Sequence, residues 1–190
     1  MWASEALERL LEYEDVFSVL DIGSGKGEHA ERMEAAGKVV DTLDLKPPAK
    51  HRGRYVDLAF APGSFDALWC SHVLEHQENV GLFLRKMYRE VRDGGVVAIT
   101  VPPAKHAIVG GHLTLWNQGL LLYNMILAGF DCSKARVSPI YDGYNISVIV
   151  RKRGREDVDL VYDAGDIETL APFFPFPVHQ GFDGTQSKDW

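Results

Sequence analysis

The stretch Val19-Leu20-Asp21-Ile22-Gly23-Ser24-Gly25-Lys26-Gly27-Glu28 constrains this chain more than any other. The apolar run at residues 16–20 reads as a buried strand. It ends on an acid, Asp21, and enters a turn with glycine at alternate positions. Residues 28–36 are helix-compatible, and Gly37 is a plausible stop. Strand, glycine turn and helix, in that order, open a βαβ nucleotide-binding unit. Glycine suits the turn because a Cβ would hold a ligand away from the backbone.

The spacing narrows the ligand. A dinucleotide fingerprint needs glycine at its first, third and sixth positions. Counting from Gly23, the sixth position is Glu28, so the glycine that packs helix on strand under a pyrophosphate is missing. A P-loop is absent as well. Asp44 closes a second strand predicted over residues 38–45, and a carboxylate there can accept both hydroxyls of a ribose. Asp57 and Leu58 end a short third strand predicted at residues 53–58, where a polar group meets an adenine edge. A fourth strand is expected at residues 64–71, a helix at 78–92, and a fifth strand at 96–101 after the Asp93-Gly94-Gly95 turn. Another helix is expected at 115–128. Two extended segments, 130–137 and 144–151, are joined through residues 139–143 and suggest an antiparallel pair at the sheet edge. An amphipathic helix at residues 4–14, capped by Ser4, precedes everything.

This series resembles the class I methyltransferases that use S-adenosylmethionine, of the methyltransferase domain type 11/23 kind. D-I-G-S-G-K-G, the F-D…V-L-E-H stretch, and the helix running into D-G-G before an apolar strand carry the resemblance over roughly residues 15–150. It implies a doubly wound, Rossmann-like seven-stranded sheet in the order 3-2-1-4-5-7-6, with the last strand antiparallel and helices on both faces. It also implies that Asp21, Gly23, Ser24, Gly25 and Gly27 approach the methionine end of the cofactor. Asp44 and Leu45 would hold the ribose side, Asp57 and Leu58 would flank the adenine, and Cys70 and Ser71 would line the cofactor. The product would be S-adenosylhomocysteine.

Composition agrees and excludes other classes. The chain has 190 residues, 46% of them hydrophobic, enough for one core. Residues 1–153 are read as the methyltransferase domain. Residues 154–190 are read as a tail, apolar and proline-rich at 172–177, packing on the domain or a partner, with a disordered end from residue 183. The net charge of −7 argues against a nucleic-acid partner. Two cysteines form no disulfide framework, the acidic N-terminus does not look like a signal peptide, and no run is long enough to span a membrane. A cytoplasmic protein is expected, with a homodimer allowed for.

Methyl transfer to oxygen requires removal of the acceptor proton, and histidine suits that task. His72 and His112 are the candidates. The [DNS]-P-P-[YFW] motif of base and amide N-methyltransferases is missing at the end of the fourth strand, which counts against methylation of an exocyclic base nitrogen; oxygen is the expected methylated atom. The acceptor is expected to be a small molecule or saccharide, held by the N-terminal helix, the loop at 102–116 and the Phe173–Phe176 region of the tail. Trp116 could contact it, although core packing is the plainer role for that residue.

His72, Glu75 and His76 fall at i, i+3 and i+4, a spacing that puts three ligand types on one face of a helical turn. Relatives with E-x-x-E-H at this place bind a divalent ion. Here the first position is His72, and V-L-E-H also occurs in metal-free relatives, so no metal is expected; the ligand candidates are His72, Glu75, His76 and His112, or else His106. Two other readings are carried: a nicotinamide-dependent oxidoreductase and a methyltransferase-like protein that binds without catalysis.

Overall fold

The structure is a computed structural model and describes residues 3–141, 144–182 and 184–190. Its strands are β1 (Ser18–Ile22), β2 (Val39–Asp44), β3 (His51–Arg52), β4 (Phe65–Ser71), β5 (Val91–Val101), β6 (Arg136–Tyr141) and β7 (Asn145–Arg151). They form one seven-stranded sheet in the order β3-β2-β1-β4-β5-β7-β6. Strands β1 to β5 pair in parallel, while β7 runs antiparallel to both β5 and β6. This is the expected topology.

Side-chain alternation divides the core into two layers, because successive strand residues face opposite sides. Val19, Ala67, Trp69, Ala98 and Ile149 face α1 (Ser4–Leu11) and Met33 of α2 (Glu28–Ala35). Leu20, Ile22, Leu68, Cys70, Val97 and Ile99 face the other way, toward α3 (Val80–Glu90) and α4 (Gln118–Leu127). Both faces of the central strands are thus dry, which explains their continuous apolar runs.

Several boundaries differ from the sequence expectations. Ser4 is not the cap of α1; Ala3 holds that position, in the left-handed region, without a side-chain hydrogen bond. The third strand is His51–Arg52, and residues 55–57 form a 3₁₀ turn. Asp93-Gly94-Gly95 lies within β5 rather than in a turn before it, because that strand starts at Val91, with a register shift opposite Phe65 and Ala67. α4 starts three residues later than expected, where the Asn117 carboxamide oxygen accepts from Leu120 N–H at 2.7 Å. Residues 130–135 precede β6 and are not strand, and residues 142 and 143 of the expected connection lie outside the described residues.

The tail packs on the α4 layer. Ile167 and Leu170 of α5 (Asp166–Leu170), together with Phe174 and Val178, are part of that core. Its end pairs with the sheet edge: Lys188 and Val137 exchange two backbone hydrogen bonds, at 2.8 and 3.0 Å.

Candidate active site

The parallel strands all finish at one edge, where β1, β2 and β4 deliver Asp21, Asp44 and His72. The glycine turn is tied down from two sides. Gly23 and Ser24 N–H donate to the Leu43 carbonyl oxygen at 2.7 and 3.0 Å, so the backbone N–H of Ser24 is already used. Gly25 N–H donates to Asp44 Oδ2 at 2.9 Å, and Lys46 N–H donates to Oδ1 at 3.0 Å. Asp44 is thereby held with one bond on each oxygen, which leaves further lone pairs for ribose hydroxyls.

Gly23 is required by a close approach. A Cβ built on it would lie 2.1 Å from Cγ2 of Val73, and its φ of +78° disfavours other residues too. This contact joins the first loop to the loop after β4. At Gly25 and Gly27 a Cβ would meet nothing within 4 Å, so bare backbone borders open space there.

Asp21 is 1% exposed, and its Oδ2 has no hydrogen-bond partner among the described residues. Burial, and then the nearby Asp44 carboxylate, push its pKa up to about 7. A buried carboxylate oxygen left unpaired beside open backbone fits a ligand with a cationic end.

The turn with the residues expected on the adenine side is fixed by a buried network that sequence reasoning missed. Lys86 Nζ donates to the Leu58 carbonyl oxygen at 2.6 Å and pairs with Glu90. Glu90 also accepts from Tyr55 OH at 2.6 Å. α3 thereby clamps the turn that carries Asp57 and Leu58. The available signal was a Lys and a Glu four apart on a helix face that is otherwise apolar. Leu45 is 67% exposed, and the Asp57 carboxylate is 3.9 Å from Arg54.

The side chains of Cys70 and Ser71, two residues expected to line the cofactor, are engaged elsewhere. Cys70 is fully buried in the α3 layer, where desolvation holds its thiol neutral, and Ser71 Oγ is hydrogen-bonded to Thr100 Oγ1 at 2.9 Å.

His72 sits in the left-handed region at φ +56°, its N–H bonded to the Thr100 carbonyl oxygen at 3.0 Å. Strained backbone of this kind concentrates at functional sites. Its Nε2 is 2.6 Å from Asn145 Oδ1, and its ring stacks on Tyr144 with centroids 5.8 Å apart. Burial opposes protonation of His72, but Glu75 and Asn145 outweigh it and raise the pKa above the usual imidazole value.

A cavity of about 180 Å³ lies beyond β5, lined by Pro102, Pro103, Ile108, Leu115, Trp116 and Tyr144 among others. His112 lines it too, whereas His72 stands behind Tyr144. The two candidate histidines are therefore not equivalent. Neither α1 nor the tail contributes to the lining, because α1 packs on the other sheet face and Phe174 is buried against the core. Trp116 is 2% exposed and serves both the core and the cavity wall.

Comparison with known proteins agrees with this construction. Residues 20–99 match a family described as methyltransferase domain. The match lies within the parallel part of the sheet, and the sheet order is the one that the resemblance to class I methyltransferases implied. A malonyl-[acyl-carrier protein] O-methyltransferase from Salmonella typhimurium is 32% identical over 110 residues, covering 52% of this chain and 44% of that protein. The chain spans about two fifths of the length of the curated relatives it matches. Among solved structures, the Burkholderia thailandensis 1,6-didemethyltoxoflavin-N1-methyltransferase, crystallised with 1,6-didemethyltoxoflavin and S-adenosylhomocysteine, has a TM-score of 0.65 at 20% identity, covering 78% of this chain and 77% of that one. An S-adenosylmethionine-dependent methyltransferase from Archaeoglobus fulgidus has a TM-score of 0.64 at 16% identity, covering 78% and 92%. No helix of the described residues is long and apolar enough to cross a membrane.

Proposed function

We propose that the chain is an S-adenosylmethionine-dependent methyltransferase acting on an oxygen of a small acceptor with an apolar body. The carrying observation is the contact between Gly23 and Val73. It couples a turn suited to the cofactor to the segment that leads, through His76, to His112 and the apolar cavity.

The cofactor supplies a methyl group on a sulfonium, already activated for in-line displacement. Asp44 receives the ribose hydroxyls, Asp21 faces the cationic end, and the clamped turn at Asp57 and Leu58 borders the base. For such a donor the protein's remaining task is to align the acceptor and exclude water. The apolar lining suits an acceptor with a hydrocarbon part better than a bare sugar. Oxygen as the methylated atom agrees with the O-methyltransferases the chain resembles.

The nicotinamide reading is weakened by the helix that follows the turn. α2 begins at Glu28 and carries Glu31 in the same first turn, where a pyrophosphate would sit. Like charge at a helix N-terminus opposes anion binding. An acceptor screen with methyl-labelled cofactor tests the proposal. Label is expected on apolar hydroxyl or carboxyl acceptors; transfer to amines alone contradicts the assignment to oxygen.

A further inference from the structure

The 3₁₀ turn Leu74–His76 and the loop after β5 are clasped together. Leu113 and Thr114 N–H donate to the Glu75 carbonyl oxygen at 2.8 and 3.1 Å, and Thr114 Oγ1 donates to the Leu74 carbonyl oxygen at 3.3 Å. The clasp sets the His112 ring 5.0 Å from that of His76. One ligand-capable atom from each of Glu75, His76 and His112 lies within 4.8 Å of the other two. His72, expected as the first of the metal candidates, is outside this group.

Glu75 is fully buried, and neither of its carboxylate oxygens has a hydrogen-bond partner among the described residues. His72 Nδ1 lies 3.3 Å from Oε1 and forms an ion pair with it when that ring is protonated, which leaves Oε2 without a partner. A buried carboxylate in that condition is costly unless a cation joins it. The tautomer of His76 points to the same answer. Its Nδ1 is 2.7 Å from the Gly111 carbonyl oxygen, which can only accept, so Nδ1 carries the proton. The neutral ring then has its lone pair on Nε2, 3.9 Å from Glu75 Oε1. A backbone carbonyl that fixes the tautomer in this way is the usual outer partner of a metal-binding histidine. Gly111 permits it at φ +81°, since a Cβ there would lie 3.2 Å from His76 Nδ1.

We propose that Glu75, His76 and His112 form a site for one divalent transition-metal ion at the wall of the acceptor cavity. Two imidazoles and a carboxylate suit Zn²⁺, Fe²⁺ or Co²⁺ better than Mg²⁺ or Ca²⁺, which prefer oxygen shells. Bonds of about 2.0–2.2 Å span up to about 4 Å between ligands, so small side-chain rotations complete the site. Three protein ligands leave coordination positions open, and His112 lines the cavity. Resting on the methyltransferase reading for the identity of the guest, those positions take the acceptor oxygen, whose proton the ion makes easier to lose. His112 then binds metal instead of removing the proton itself.

The test strips the full chain with chelator and titrates it by calorimetry with Zn²⁺ and separately with Mg²⁺, for the wild type, His76→Ala and His112→Ala. Both variants lie at partly or fully exposed positions, so Glu75 stays buried and the fold can be checked by circular dichroism. One Zn²⁺ per chain is expected in the wild type, weakened in each variant by at least the roughly 10–100-fold that loss of an outer partner costs. Mg²⁺ should bind more weakly than Zn²⁺. Absence of stoichiometric Zn²⁺ binding, unchanged affinity in either variant, or tighter Mg²⁺ binding would overturn the site. S-adenosylhomocysteine binding, measured on the same samples, reports on the methyltransferase reading separately.

Discussion

The cofactor end of the sheet, at β1 and β2, and the acceptor end, beyond β4 and β5, are held together by different means. The first is built from strand ends and the turns beside them, with Asp44 locked between Gly25 and Lys46 and the base-side turn clamped by Lys86. The second depends on a loop fastened by a few backbone bonds to Glu75, with apolar side chains left open. Ile108 is 95% exposed and Leu115 is 54% exposed. Exposed apolar groups gathered around a cavity mark a surface that expects a guest. The contrast sets a proposed donor side that is already locked against a proposed acceptor side left open for a guest.

Substitutions on the two sides should separate in the same way. The largest effect is expected from Lys86→Met, which leaves Glu90 buried without its closest cation. It should cost about 3–5 kcal/mol in denaturant unfolding. A loss below about 1 kcal/mol would mean that Tyr55 and Arg89 suffice. Asp44→Ala should weaken S-adenosylhomocysteine binding by about 2–4 kcal/mol in calorimetry, with little change in folding. Unchanged affinity removes Asp44 from the site.

Asp21→Asn should reveal a trade-off that depends on pH. The raised pKa of Asp21 means that its neutral form favours the fold; this stabilisation is complete below about pH 4 and is lost as pH rises through about 7. The variant escapes the loss, so thermal unfolding at pH 8 should show it more stable than wild type by about 2–4 kcal/mol, with the two converging near pH 4. Cofactor affinity should fall in the same variant. A variant less stable at pH 8 would contradict the strained carboxylate. The smallest effect is expected on the acceptor side. Leu115→Ser should raise the acceptor KM by roughly 1 kcal/mol and leave S-adenosylhomocysteine affinity unaltered.

What the sequence revealed follows this division. The positions of Asp21, the glycine turn and Asp44 were legible because each sits at the end of an apolar strand, where local pattern fixes position. Lys86 and Glu90 were hidden, because a buried ion pair on a helix looks like an ordinary surface pair until tertiary packing covers it. Cys70 and Ser71 were placed correctly along the strand, but strand alternation and Thr100 turned their side chains to other uses. Glu75, His76 and His112 were each among the ligand candidates in the sequence, but their grouping without His72 was not legible. The i, i+3, i+4 spacing pointed to His72, but a left-handed backbone at that residue turns it toward Asn145, and the third member arrives from a loop 36 residues later.

Calorimetric titration of the wild-type chain with S-adenosylhomocysteine, set beside NAD under the same conditions, tests the central claim most directly. One-site binding of S-adenosylhomocysteine with no heat from NAD is the result expected from a turn that has Glu28 in place of the pyrophosphate glycine and leads into a helix with Glu31 in its first turn. Tight NAD binding without a response to S-adenosylhomocysteine would contradict it.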